Sequence, residues 1–134
     1  MLAQAAVAAP NIPKATPAPG GPPLDLVHLS RQTLGDRALE MELLGLFDKQ
    51  AGQIIARLDS DLCASDRKWR HDLSHTLKGS ARAVGAVRVA AAAQAYEDAL
   101  SAQLPEIELK AQISQLKGTV EEVQGVFRSL LSDA

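Results

Sequence analysis

The sequence predicts an all-α protein, an antiparallel up-and-down four-helix bundle with a short extra N-terminal helix. Three observations carry this expectation. From Leu24 onward apolar residues recur at three- and four-residue spacing, and no alternating pattern long enough for a strand occurs. Six of the seven prolines fall within residues 1–23, which leaves only Pro105 to interrupt the remainder. Aromatic residues are 3% of the chain against 46% hydrophobic overall, so the core must be mostly Leu, Ile, Val and Ala.

The proline distribution sets the domain boundary. Proline has no amide donor and a fixed φ, so residues 1–23 cannot join a regular ladder and are expected to form an extended or disordered Ala/Pro-rich tail. Residues 24–134 are expected to form one domain, which suits a chain of 134 residues.

Each helix has its own signals. Asp25 can cap a short helix through about Leu34, with Gly35 as its stop. Asp36 caps a long helix that ends near 59–61, with Leu39, Leu43, Phe47, Ile54 and Leu58 as its buried stripe. Ser65 or Asp66 opens the next helix, which runs to about Val84. Trp69, Leu73, Leu77 and Val84 share its apolar face, and Gly85 suits a left-handed terminator. An alanine-rich helix follows from about Val87 to Ala102, its small side chains allowing close approach of neighbours. Pro105 suits the first turn of the last helix, where Leu109, Ile113, Leu116, Val120, Val123, Phe127 and Leu130 repeat as a seam expected to pack within the bundle. Short connections between such helices imply antiparallel neighbours.

Bulk properties narrow the function. A formal net charge of −2 gives no general reason to expect binding to nucleic acid or membrane. No apolar run approaches the ~18 residues of a transmembrane helix. The start, M-L-A-Q-A-A-V-A-A-P, lacks the basic region of a signal peptide. The single cysteine, Cys63, lies in no C-x-x-C pattern and reads as a small apolar or boundary residue. The expectation is a monomer in the cytoplasm.

The chemistry is concentrated in residues 71–85, H-D-L-S-H-T-L-K-G-S-A-R-A-V-G. If Leu73 and Leu77 face inward on a helix, His75 lies about half a turn away and faces solvent. His71 and Lys78 fall four residues before it and three after it on the same face, with Lys68 and Arg82 extending the stripe. Six Lys or Arg and one acid, Asp72, occur between 67 and 88, a local basic concentration suited to an acidic partner and to added phosphate. A neutral imidazole nitrogen can attack an activated phosphoryl group, and a nearby lysine can offset charge on its oxygens. Glycine inside a helix costs about 1 kcal/mol relative to alanine. Gly79 therefore marks an opening for a partner, a close helix contact or simple tolerance. Lys68, Arg70 and Arg82 each read equally as solvated charges or docking contacts, and His28 as a surface or boundary residue.

His75-Thr76-Leu77-Lys78-Gly79, followed by five residues and Gly85, resembles the H-x-L-K-G-x5-G pattern of histidine phosphotransfer (HPt) domains. The helix layout resembles that family from about Leu24 to the C-terminus, whereas the specific motif covers about eleven residues. The resemblance implies that His75 is phosphorylated on Nε2, that Lys78 assists, that Gly79 permits partner access and that Gly85 ends the helix. It implies a relay in which His75 accepts a phosphoryl group from the receiver domain of a hybrid histidine kinase and passes it to a response regulator. Such a protein is a stoichiometric carrier, not an enzyme. It needs no cofactor of its own, since Mg²⁺ belongs to the receiver. Lys68, His71 and Arg82 are the expected docking residues, and the group that bonds Nδ1 of His75 is not identified by the motif.

Two other functions are compatible with parts of the pattern. His71 and His75 have the i, i+4 spacing of a metal pair, but Asp72 replaces the Glu of H-E-x-x-H and Lys78 would oppose a cation, so no metal is expected. A noncatalytic helical adaptor could use the basic helix or the last helix, and in it His75→Gln would be silent.

Overall fold

The computed structural model describes residues 21–60 and 66–133. Cys63 and residues 1–20 of the expected tail lie outside the described residues. Five helices and no strand are found among those described: α1 (Leu26–Thr33), α2 (Arg37–Leu58), α3 (Arg67–Val84), α4 (Val87–Ser101) and α5 (Glu106–Ser132). Helix α3 packs on α2 and α4, and α5 packs on the same two, which closes a four-helix ring. Helix α1 lies across α2 and α3.

The N-termini of the first three helices are set by aspartates. Oδ1 of Asp25, Asp36 and Asp66 accepts from the amides of His28, Leu39 and Trp69 at 3.0, 3.1 and 2.9 Å. Each such cap contributes about 1 kcal/mol by satisfying an amide that the helix cannot. Helix α1 stops one residue earlier than its sequence implies. Leu34 itself takes the left-handed conformation (φ 55°), followed by Gly35 (φ 80°), whose amide donates to Ser30 O at 2.9 Å. Leu34 is 94% exposed, so nothing apolar compensates its backbone.

Gly85 ends α3 as expected, with φ 85° and the amide of Ala86 returning to Ala81 O at 2.8 Å. It also receives α1. The amide of Asp25 donates to Gly85 O at 2.8 Å, and His28 Nε2 lies 3.2 Å from Ala83 O. His28 thus meets a carbonyl at the end of α3 and is half-buried, the boundary residue of the two readings.

The expected seam of α5 is buried at Leu109, Ile113, Leu116, Val120 and Val123, while Phe127 and Leu130 are partly covered. In α2 the buried arc is wider than one stripe because two helices flank it. Leu44, Ala51 and Ile55 join Phe47, Ile54 and Leu58, whereas Leu43 is partly covered and Leu39 stays exposed.

Helix α3 departs most from expectation. Its deepest positions include Arg70 and Ser74 beside Leu77 and Ala81, and Trp69 and Leu73 are only partly buried. Ser74 Oγ donates to Ala93 O at 2.9 Å, an approach that the alanines of α4 permit. Arg70 is neither a solvated charge nor a docking contact, being only 2% exposed. Its Nε donates to Tyr96 Oη at 2.8 Å, and its two terminal nitrogens donate to Oε1 and Oε2 of Glu106, each at 3.2 Å. One guanidinium thereby ties α3, α4 and α5 together, and the planar fork makes this possible where a lysine could not.

Gly85→Ala is expected to destabilise the domain. The new Cβ would sit 2.8 Å from Asp25 O at a backbone φ that alanine disfavours. A loss of about 1–3 kcal/mol in urea unfolding, with an unchanged slope, is the expected result.

Candidate functional site

The helix phase of α3 places His75 outward. Its side chain is 66% exposed, and its Nδ1 lies 3.4 Å from Glu97 Oε2 on α4. Glu97 is the partner that the motif does not identify. Its carboxylate is 7% exposed and meets three groups of α3. Lys78 Nζ stands 2.7 Å from Oε1, and His71 Nε2 is 3.3 Å from Oε2, the oxygen that also faces His75. Lys78 also donates to Gln94 Oε1 at 2.9 Å, and Gln94 in turn donates to Asp98 Oδ1 at 2.8 Å.

Burial pushes the Glu97 carboxyl upward, but the hydrogen bonds and charges of Lys78 and then His75 outweigh it, so the group is held below the ordinary glutamate range. Glu97 is therefore an anion, and a carboxylate beside a neutral imidazole attracts its N–H. With that hydrogen on Nδ1, Nε2 of His75 holds the lone pair and points to solvent.

Three of the sequence-selected residues, His71, His75 and Lys78, thus converge on one carboxylate. Lys78 differs from its expected setting, since its side chain is 10% exposed and paired, not part of an open stripe. Most of the other basic residues between 67 and 88 are also engaged. Lys68 pairs with Asp72 at 2.7 Å, a contact that holds Asp72 below the usual carboxylate range and raises Lys68. Arg67 is bonded to Leu100 O, and Arg88 to Glu122 at 2.8 Å. Arg82 is exposed, without an ion-pair partner among the described residues, and lines a shallow groove along α4 with Ala91, Gln94 and Asp98. Gly79 is exposed, and a Cβ there would meet no atom within 4 Å, which removes close helix packing as its reason. Gly85 lies at the end of the same helix in its terminating role.

Glu97 and Gln94 were missed because their partners lie on another helix. The available signal was weak: in the alanine-rich α4, residues 94, 97 and 98 place polar groups on one side. Among the described residues no group of His, Cys, Asp and Glu is arranged to hold a metal ion, and no helix is long and apolar enough to cross a membrane.

Lys78→Met should raise the Glu97 titration midpoint, because His75 then remains without Lys78 among the groups that hold it low. Carboxyl ¹³C NMR titration of both proteins checks it, and an unchanged midpoint would remove Lys78 as the cause. The sign for stability follows from the depressed folded value. The stabilisation from Glu97 is present above its unfolded range and is lost as pH falls through the folded value.

The comparisons with known proteins bear on the same stretch of chain. No curated protein and no solved structure matches it. The family model described as the Hpt domain matches residues 42–126, over half of the sequence, and its span holds α3, α4, His75, Lys78 and Glu97. Hpt domains are phosphocarriers that interact with receiver domains, and an exposed imidazole backed by a buried carboxylate suits that work. The chain belongs to the Hpt family and has a histidine phosphotransfer role in a phosphorelay.

Proposed function

We propose that His75 is the phosphoryl-carrying residue, loaded by a receiver aspartyl phosphate, as from a hybrid histidine kinase, and unloaded onto the aspartate of a response regulator. The carrying observation is the placement of Glu97 Oε2 3.4 Å from Nδ1 of a ring that is 66% exposed. The lone pair of Nε2 attacks phosphorus; the N–P bond forms as the acyl-phosphate P–O bond breaks, and the donor carboxylate leaves with the electron pair. The ring keeps its Nδ1 hydrogen and becomes cationic, and the Glu97 anion stabilises that charge. Transfer onward reverses these steps on a second receiver.

Lys78 acts in this scheme through Glu97, holding the carboxylate ionised and in place, with its charge close to the incoming phosphoryl group. Gly79 leaves open space one turn beyond the imidazole for the partner to approach. Lys68, His71 and Arg82 border that approach, and Arg82 offers the least committed charge. The bundle from residue 24 onward works as a cytoplasmic monomer, with residues 1–23 as an appended tail, and both donor and acceptor are other proteins.

Incubation with a ³²P-labelled receiver should place label on this protein as an acid-labile, alkali-stable adduct, absent from His75→Gln. Label persisting in that variant would move the acceptor elsewhere. Gly79→Glu should keep the helical circular dichroism signal and thermal midpoint yet slow transfer at least about tenfold, the effect of a lost docking energy of about 1.4 kcal/mol. Unchanged rates would remove partner access as the reason for that glycine.

A further inference from the structure

His71 is an imidazole that the transfer chemistry does not consume, yet it is not placed as a simple rim residue. Its ring lies within 8° of parallel to that of His75, with centroids 6.2 Å apart. Its Nε2 is 3.3 Å from the same Glu97 oxygen that faces His75, and its Nδ1 is 4.0 Å from Asp72 Oδ1. A bare ring nitrogen repels a carboxylate oxygen, so the separation from Glu97 is favourable only with hydrogen on Nε2. At 3.3 Å this is an electrostatic approach, whereas the contact of His75 Nδ1 with the same oxygen meets hydrogen-bond geometry.

The consequence concerns the orientation of Glu97. Lys78 Nζ forms an ion pair with Oε1 at 2.7 Å, and that buried oxygen has no hydrogen-bond partner among the described residues. With Lys78 alone, the carboxylate is held at one end and can pivot. A second group at Oε2 defines its plane without any help from His75. We infer that His71 is a positioning residue: it holds Glu97 Oε2 where that oxygen takes the Nδ1 hydrogen of His75, which keeps Nε2 as the outward lone pair. The importance of this for transfer rests on the proposed role of His75.

Two substitutions separate positioning from docking. His71→Leu keeps bulk and removes the donor. His71→Gln keeps a neutral donor close to the place of Nε2. The tautomer of His75 is read by long-range ¹H–¹⁵N correlation in unphosphorylated full-length protein at about pH 8.5, two units above the ordinary imidazole value. Wild type and His71→Gln are expected to show hydrogen on Nδ1. His71→Leu is expected to shift toward hydrogen on Nε2 and to take label about three- to tenfold more slowly, the range to which one net hydrogen bond converts. A wild-type tautomer in His71→Leu overturns the inference, and slower labelling with that unchanged tautomer assigns His71 to docking instead. If wild-type protein takes no label at all, the phosphotransfer proposal fails by itself. The tautomer shift, measured without phosphate, still decides the positioning role.

Discussion

A buried anion organises the face of α3 that carries His75. Glu97 sits on α4 with a 7% exposed side chain, and the cations and imidazoles that answer it all come from α3. Removing an ionised carboxylate from water is costly, and the cost is tolerable only with close partners of opposite charge. Lys78 at 2.7 Å supplies the main one, so the pairing of α3 with α4 and the ionisation of Glu97 depend on each other. The geometry of His75 follows, because its Nδ1 faces an oxygen whose position is determined from behind.

That arrangement needs the two helices in close contact, and the small residues of α4 permit it. Ala90, Ala92 and Ala93 are buried where α3 arrives, and Ser74 reaches the backbone oxygen of Ala93 directly. One turn earlier on α3, Arg70 performs the corresponding task at the other end, bridging Tyr96 and Glu106. Arg70, Ser74 and Lys78 therefore form a polar row at i, i+4 and i+8 that is buried and satisfied. Such a row adds little net stability over an apolar one, since desolvation offsets its bonds. It does discriminate between registers, because sliding α3 by a turn would leave a guanidinium and an ammonium buried without partners.

Much of the fold was legible because its signals are local. Three aspartate caps, the left-handed glycine at 85 and the repeat from Leu109 to Val123 each act within a few residues of chain. The outward direction of His75 was legible for the same reason, being fixed by Leu77 on its own helix. What escaped was pairwise and distant. Arg70 and Lys78 read as surface charges because hydropathy scores a residue without its partner, and their partners lie 36 and 19 residues away. The basic concentration between 67 and 88 is reduced on the same ground, since Glu97, Glu106 and Glu122 on other helices pair with Lys78, Arg70 and Arg88. Leu34 failed differently: a leucine in the left-handed conformation defies the local rule, and the adjacent Gly35 drew the expected turn to itself.

The commitment of Lys78 bears on what a carrier must avoid. A lysine extended freely toward the phosphoryl oxygens would stabilise the loaded protein most strongly, and a relay intermediate stabilised too far would not pass its group on. Here the ammonium is tied to Glu97 and Gln94 before any phosphate arrives. In the proposed scheme its charge acts through Glu97. The negative charge of Glu97 in that scheme answers the cation that the ring becomes on taking a phosphoryl group, and the same pair stands ready when that group is passed on. On that proposal, loading and unloading call for little rearrangement around Glu97, and the direction of transfer would be left to the relative stability of the phosphoaspartates on either side.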